Sequence, residues 1–233
     1  MKIAYAHQME KMDQKVIREY GIPGIVLMEN AGRGAAVLTR EHFGNIQGQK
    51  VAVISCIGNN GGDGFIIAGL ANTSGIEVEL FVAGYLSSIS GDAKTALDYA
   101  LSTGLNVIHA HEFSQLIKKQ DASKNSKADE TLIVDALLGT GLSGEVRNPF
   151  KQLINDINDS PLPVLAVDIP SGLCSDTGKV LGTAVKADLT ITFIGRKIGL
   201  VTNSGTQHVG KLLFDDLKVP ADVYTKVPVS KSM

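Results

Sequence analysis

The sequence predicts an α/β protein with a three-layer, Rossmann-like fold, in which helices cover both faces of a mostly parallel central sheet. Short apolar runs alternate with segments of helical periodicity from about residue 50 onward. Strands that alternate with helices in this way form parallel sheets with right-handed crossovers. Clusters of glycine and polar residues follow several of these runs. Ligands bind at the carboxyl ends of such strands, so the fold class already favours a small-molecule site.

The elements follow from the apolar spacing. Apolar residues from Met9 to Tyr20 recur every three or four positions, which predicts an amphipathic helix ending at Gly21. Pro23 then opens a second helix that extends to about Phe43. Six strands are predicted near Val51 to Ser55, Val78 to Val82, Asn106 to His109, Thr131 to Val134, Val164 to Val167 and Leu189 to Phe193. The intervening helices are clearest at Asp92 to Leu101, Phe113 to Lys119 and Pro149 to Ile157.

Length and composition favour a single domain spanning residues 1–233, with two N-terminal helices, a core at about 50–217 and a flexible tail. A chain of 233 residues with 44% hydrophobic content can bury one sizeable core. The polar stretch from Asp121 to Glu130 has no apolar period and is predicted to be a surface loop. The tail after Leu217 is expected to fray.

Charge and cysteine usage exclude several classes of partner. The net charge is −2 and the isoelectric point is about 6.2, so nothing favours nucleic acid or an anionic membrane. The amino terminus lacks an apolar signal segment, and no run approaches the ~18 apolar residues of a membrane span. Cys56 and Cys174 form no metal or disulfide framework. We therefore expect a soluble cytoplasmic protein that binds a small molecule.

The segment GNNGGDG, from Gly58 to Gly64, carries the strongest functional signal. It directly follows the apolar run that begins at Val51, and its four glycines predict positive φ angles and close approach of a ligand to bare N–H groups. Asn59, Asn60, Gly61, Gly62 and Asp63 are therefore candidate ligand-binding residues. A side chain at Gly61 is expected to hinder the ligand rather than the core. The alternative is a tight strand-to-helix turn with no ligand.

Two further strand ends carry polar residues. Asp135 closes the fourth predicted strand, and Asp168 closes the fifth, just before Ser171. A carboxylate at the end of an apolar strand is costly to desolvate unless a cation, a donor or a ligand hydroxyl meets it. All three strand ends lie at one edge of a parallel sheet, so one pocket can use them all. The alternative for each aspartate is a helix cap.

The segment GTGLSG, from Gly139 to Gly144, matches the dinucleotide fingerprint GxGxxG and follows a strand. However, Glu145 and three further residues precede Pro149, which prefers the first turn of a helix. In the true fingerprint the helix begins inside the motif and binds the pyrophosphate. Rossmann hydride chemistry is therefore disfavoured.

Hard oxygen ligands are available at the same sheet edge. Asn60, Asp135 and Ser171 offer oxygens that suit potassium or magnesium better than a soft metal. The alternative is that these strand-end side chains hydrogen-bond to one another. The histidines are scattered, so no zinc site is predicted, and Ser171 lacks the GxSxG context of a nucleophile.

The sequence closely resembles the NAD(P)HX epimerase family over about residues 7 to 220. The resemblance is carried in order by IPGIVLMENAG, GNNGGDG, IVDALLGTGLSGEVRNPF, VLAVDIPSGL and ADLTITF followed by GRKIGL. Each motif alone is common, whereas the combination is specific. Family members usually carry a small or polar pair where Cys56 and Ile57 stand here.

This resemblance implies a set of site residues. The hydrated nicotinamide nucleotide, NADHX or NADPHX, would be cradled by Asn59 to Asp63 and by the loop residues Gly139, Thr140, Gly141, Leu142, Ser143, Gly144 and Glu145. Asp168 would contact the reacting end as the catalytic residue, and Asn60, Asp135 and Ser171 would ligate potassium. It further implies isomerase activity in nicotinamide nucleotide repair, with the NAD(P)HX dehydratase on a separate chain. A homodimer is an open alternative to a monomer.

Two rival functions remain. An NAD-dependent oxidoreductase is supported only by the GTGLSG outline. A non-catalytic nucleotide-binding or scaffolding module could keep the same fold, but the joint presence of Asn60, Asp63, Asp135, Asp168 and Ser171 argues against decay of the site.

Overall fold

The computed structural model of the protein describes residues 3–43, 50–115, 117 and 131–226. The predicted surface loop from Asp121 to Glu130 lies outside these residues, as does the part of the predicted tail from residue 227. Of the helix predicted from Phe113, residues 113–115 and 117 are described, and they are helical.

The described residues form strands and helices, and from β2 to β4 and from β5 to β6 each successive pair of strands is separated by a helix. The strands are β1 (Ile3–Ala4), β2 (Lys50–Cys56), β3 (Glu77–Ala83), β4 (Val107–His109), β5 (Thr131–Ala136), β6 (Val164–Val167), β7 (Leu189–Phe193), β8 (Arg196–Lys197) and β9 (Lys211–Asp215). The helices are α1 (Ala6–Glu19), α2 (Gly24–Phe43), α3 (Asn59–Thr73), α4 (Gly91–Ser102), α5 (Phe150–Asp159) and α6 (Val223–Lys226). All six predicted strands are confirmed.

Seven strands form one sheet in the order β4-β3-β2-β5-β6-β7-β9. Every neighbouring pair in it is parallel, which confirms the predicted sheet. From β2 the chain winds outward to β4, and from β5 it winds the other way, so the order reverses between β2 and β5. Ligands bind beside such a reversal in open α/β sheets. Among the described helices, none is both long enough and apolar enough to cross a bilayer.

Helices cover both faces of this sheet, as predicted. One face packs against α1 to α4 through residues such as Met12, Ala31 and Phe65, all nearly inaccessible to solvent. The other face packs against α5, whose Leu153, Ile154 and Ile157 form an apolar stripe, and against Phe113. The central strands are apolar toward both faces, because both are buried.

Three strands were not expected from the sequence. The edge strand β9 is only partly buried, so its segment has no strong apolar signal. The two-residue strands β1 and β8 pair with each other in parallel, Ile3 beside Arg196 and Ala4 beside Lys197. This pairing is non-local, and it attaches the start of α1 to the segment that follows β7.

The glycines of GNNGGDG have a different role from the one expected. The segment is the beginning of α3, and none of its glycines has a positive φ. A Cβ on Gly61 would overlap the carbonyl oxygen of Cys56, and one on Gly64 would overlap the hydroxyl of Ser55. These glycines let the helix pack directly on β2. The expectation that a side chain at Gly61 spares the core is therefore wrong.

We predict that Gly61→Ala lowers the free energy of unfolding by about 1–3 kcal/mol, although alanine favours helices, because the methyl group meets rigid backbone. Gly141→Ala is the matched control, since a Cβ there meets no atom within 4 Å, and it should change stability by less than about 0.5 kcal/mol. Urea denaturation measures both. Equal stability of the two variants would contradict the close-packing role.

Candidate active site

The predicted site residues converge at the carboxyl edge of β2, β5 and β6. Asp135 on β5 lies in register with Ile54 on β2 and Ala166 on β6. Asn60 follows the end of β2, and Asp168 directly follows β6. Three distant parts of the sequence thus meet beside the point where the strand order reverses, as the parallel topology predicted.

Asp135 and Ser171 form a buried hydrogen-bonded pair, and both are inaccessible to solvent. The Ser171 hydroxyl donates to Asp135 Oδ1 at 2.6 Å, and the Ser171 amide donates to Oδ2 at 2.8 Å. The Leu138 amide donates to Ser171 Oγ at 2.8 Å, which joins the loop after β5 to the loop after β6. Burial raises the pKa of Asp135 to about 6, although the Ser171 hydrogen bonds oppose the rise. Asp135 does not cap a helix.

Asn60, at the same edge of the sheet, has an unsatisfied side chain. Its Oδ1 and Nδ2 are both buried and have no hydrogen-bond partner among the described residues. A Cβ on Gly139, in the loop after β5, would lie 3.2 Å from Asn60 Cβ, so the loop passes directly over this side chain. A buried polar group without a partner costs about 1–3 kcal/mol. An unpaired amide oxygen at the same sheet edge as a buried carboxylate fits a cation with hard oxygen ligands.

Asp168 has an unusual backbone and an asymmetric set of partners. Its φ is +68°, a conformation that non-glycine residues seldom adopt and that clusters at functional sites. Oδ1 accepts from Thr192 Oγ1 at 3.3 Å, from the Phe193 amide at 3.3 Å and from Lys197 Nζ. Within the described residues these contacts all go to Oδ1, which leaves Oδ2 available to a ligand.

Lys197 is a site residue that the sequence motifs did not indicate. Its side chain is 3% exposed, and Nζ donates to Asp168, to Thr192 Oγ1 at 3.0 Å and to the Phe193 carbonyl at 3.2 Å. All three ammonium protons therefore have acceptors. Lys197 lies on β8, whose pairing with β1 has no sequence signal, so only the buried run GRKIGL indicated this region.

Two more carboxyl groups lie within electrostatic range of this ion pair. Burial raises the pKa of Asp13 to about 6; Lys197 lowers it, and Asp168 and Glu10 raise it further. Burial also raises the pKa of Asp63 well above its usual range; Asp168 adds to the rise, and Lys197 opposes it. Asp63 was a candidate from GNNGGDG, whereas Asp13 on α1 was not. One ammonium group cannot compensate three carboxylates, so the cluster favours the neutral form of Asp63.

The loop from Gly139 to Glu145 is largely exposed, and hydrogen bonds fix both of its ends. Its start is joined to the loop after β6 by Ser175 Oγ, which donates to the Thr140 carbonyl at 3.4 Å. Its end is fixed by the Val146 amide, which donates to the Leu181 carbonyl at 2.9 Å. Helix α5 begins only at Phe150, which confirms that GTGLSG is not the helix-opening dinucleotide fingerprint.

Sequence comparisons connect the chain with one family. The sequence model described as YjeF-related protein N-terminus matches residues 24–199. An NAD(P)H-hydrate epimerase from Limosilactobacillus fermentum is 37% identical over 213 residues, which cover 91% of this chain and 94% of that protein. A bifunctional NAD(P)H-hydrate repair enzyme Nnr from Salinibacter ruber is 36% identical over 223 residues, which cover 92% of this chain but 40% of that longer protein. The chain thus spans about two fifths of the bifunctional relative.

The fold is also similar to a solved structure. The crystal structure of the yeast protein ynu0, YNL200c, superimposes with a TM-score of 0.81, covering 97% of this chain and 93% of the yeast chain. The two sequences are 21% identical in this comparison. At this level of identity the likeness supports the fold.

The raised pKa of Asp13 predicts a specific pH dependence of stability. Because its folded pKa of about 6 lies above the ordinary value of 3.8, its stabilising contribution is complete below pH 4 and is lost as the pH rises through 6. Asp13→Asn should therefore gain stability relative to the wild type between pH 4 and pH 7, by about 3 kcal/mol at most. The control is Asp159→Asn at an exposed position. The difference in free energy of unfolding between this variant and the wild type should stay constant from pH 4 to pH 7. Parallel pH profiles for the Asp13 variant and the wild type, measured by urea denaturation, would rule out this effect.

Proposed function

Because the chain belongs to the family of YjeF-related N-terminal domains, we propose that it epimerises the R and S forms of hydrated NADH and NADPH, together termed NAD(P)HX. The observation that carries this proposal is the Asp168 carboxylate, held by Lys197 through Oδ1 with Oδ2 available, at the edge where α3 begins. The reaction is an isomerisation in nicotinamide nucleotide repair. The relatives named as NAD(P)H-hydrate epimerases support it.

The chemistry requires a positioned acid and base. NAD(P)HX carries a hydroxyl on ring carbon six beside the ring nitrogen, and inversion follows loss of this hydroxyl and its return to the other face, or ring opening and closure. Neither route changes the oxidation state of the nucleotide, so the reaction needs no redox cofactor. Each route needs a proton delivered to one oxygen or nitrogen atom and removed again. A pair of carboxyl groups in unlike environments can perform both transfers.

Asp168 and Asp63 are the groups that we assign to these transfers. Asp168 Oδ2 is the proton acceptor, since Lys197 fixes the other oxygen and compensates its charge. Asp63 is the proton donor, because burial and the neighbouring Asp168 raise its pKa and so favour its neutral form. Asp63 lies on the second turn of α3, so the close packing of that helix sets its position.

The remaining candidates would bind the nucleotide. The first N–H groups of a helix lack intrahelical acceptors and attract anions, and here they belong to Asn59, Asn60 and Gly61. We assign the pyrophosphate to this end of α3. The exposed loop from Gly139 to Glu145 lies across Asn60 and would cover the ligand from the other side.

A potassium ion would be held by Asn60, Asp135 and Ser171. When bound, it would compensate the buried Asp135 carboxylate and satisfy the unpaired Asn60 oxygen. The Ser171 hydroxyl already donates to Asp135 and accepts from the Leu138 amide. It would therefore both position the carboxylate and contribute an oxygen ligand to the ion. Both expectations from the sequence, mutual hydrogen bonding and a cation, are therefore compatible with this arrangement.

The product of this reaction would pass to an NAD(P)HX dehydratase. Longer relatives named as bifunctional NAD(P)H-hydrate repair enzymes support a partner of this kind. We propose that the dehydratase acts from a separate chain in the cytoplasm, where Cys56 and Cys174 would stay reduced; both are unpaired here.

The rival functions are weaker on specific grounds. An oxidoreductase would need GTGLSG to open a helix, yet Pro149 precedes α5 and five residues separate Gly144 from its start. A scaffolding module would have no reason to retain a buried lysine that compensates a strained aspartate at the sheet edge.

We expect Asp168→Asn to reduce epimerase activity by about 10² to 10⁴-fold, because the amide keeps the hydrogen bonds to Oδ1 but removes the proton acceptor. Asparagine tolerates the positive φ at this position. Activity is followed by the conversion of (R)-NADHX to its S epimer. Asp188→Asn is the matched control, since Asp188 accepts from the Val164 amide at the opposite, amino edge of the sheet, and its activity should stay near wild type. An active, folded Asp168→Asn would remove Asp168 from the mechanism.

Potassium should stabilise the ligand-free protein and increase its affinity for NADHX, relative to tetramethylammonium at equal ionic strength, because the larger cation cannot enter the buried site. Asn60→Ala should lose this difference, whereas the exposed Asn59→Ala should keep the stabilisation by potassium. Thermal unfolding and calorimetric titration provide the two measurements. Identical results in both salts for the wild type would refute the cation site.

A further inference from the structure

A cavity of about 420 Å³ lies at the same edge of the sheet as the proposed active site and shares no residue with it. It opens at the carboxyl ends of β3 and β4 and is closed on the other side by the start of α5. Its wall is mostly apolar, with Ala83, Ala110 and Leu153 at its base. Another cavity, of about 350 Å³, lies at the amino end of β6, away from the ligand-binding edge.

The rim of this cavity is aromatic and partly polar. Tyr85 lines it and is 82% exposed, so its ring has a free face. The His109 and His111 rings also line it, with their centroids 4.6 Å apart. A flat aromatic ligand could stack on such groups.

One carboxylate determines the polarity of the cavity. Asp156 accepts from Ser114 and, at 2.8 Å, from Gln152. Among the described residues, the cavity lining contains this carboxylate and no lysine or arginine. A phosphate or carboxylate ligand is therefore disfavoured. A neutral ring with an amino group is favoured, because its N–H can donate to the remaining lone pairs of Asp156.

The position of the cavity relates it to the proposed substrate. Strands β3, β2, β5 and β6 are consecutive neighbours, so the end of β3 lies ~14 Å from the end of β6 at the usual strand spacing. The start of α3, which we assign to the pyrophosphate, lies between these two ends. Ile57, just before α3, is close to Gly84 of the cavity wall. A dinucleotide with its reacting ring at Asp168 would direct its other half toward the cavity.

We infer that this cavity binds the adenine base of NAD(P)HX, stacked on Tyr85 with its amino group toward Asp156. This assignment rests on the proposed function. It makes Tyr85 a substrate-affinity residue remote from the chemistry. The adenosine half contributes binding energy, whereas the acid and base act on the nicotinamide half.

The test compares two substrates that differ only by the adenosine half: NADHX and the hydrated form of reduced nicotinamide mononucleotide. Tyr85→Ala should raise KM for NADHX by about 5- to 100-fold, the effect of losing one base stack, with kcat retained. KM for the mononucleotide should not change. The control is Leu86→Ala in the same turn, since Leu86 is 42% exposed and does not line the cavity. Its constants should match the wild type for both substrates.

Several outcomes would overturn the adenine assignment. One is an unchanged KM of Tyr85→Ala for NADHX, and another is an equal loss for both substrates. If the wild type epimerises neither substrate, the proposed function fails, and titration with adenosine monophosphate then tests the cavity alone. Binding that is lost in Tyr85→Ala and kept in Leu86→Ala would support a base site; absence of binding to the wild type would overturn it.

Discussion

The close packing of α3 against β2 is the constraint on which the rest of the site depends. Gly61 packs against the Cys56 carbonyl and Gly64 against Ser55, so the helix lies closer to the sheet than it could with side chains at these positions. This position brings Asn60 under the loop after β5 and Asp63 into the electrostatic field of Asp168 and Lys197. It also places the helix start at the sheet edge, beside the reversal of strand order. A larger residue at either glycine would shift all of these groups together.

Charge balance is the second organising feature of the site. Asp13, Asp63 and Asp168 share one buried ammonium group, that of Lys197, so burial and repulsion raise the pKa of two of the carboxyl groups. Unequal environments are what acid–base catalysis needs, because one group must hold a proton while its neighbour accepts one. Asp135 is buried separately and is paired with Ser171. The carboxyl groups around Lys197 and the predicted cation site are thus distinct, although both occupy one edge of the sheet.

The fold and much of the site followed from local patterns. Buried parallel strands such as β2 and β5 are short continuous apolar runs, and the polar residues that end them stand out against that background. Parallel topology then places the ends of β2, β5 and β6 at the same edge. The edge strand β9 and the pair β1 and β8 were missed, because a half-exposed strand and a two-residue pairing have almost no signal of their own.

The sequence by itself determined the fold class, the strand ends that meet, and the presence of Asn60, Asp135, Asp168 and Ser171 at that edge, because these depend on periodicity and on residues near in the chain. Only the tertiary structure decided why the glycines are required, which oxygen of Asp168 is available, and that Lys197 and Asp13 join the cluster. The physical reason is distance along the chain. Asp13 and Lys197 come from opposite ends of the protein, and their proximity arises from burial and long-range strand pairing, which local composition does not encode.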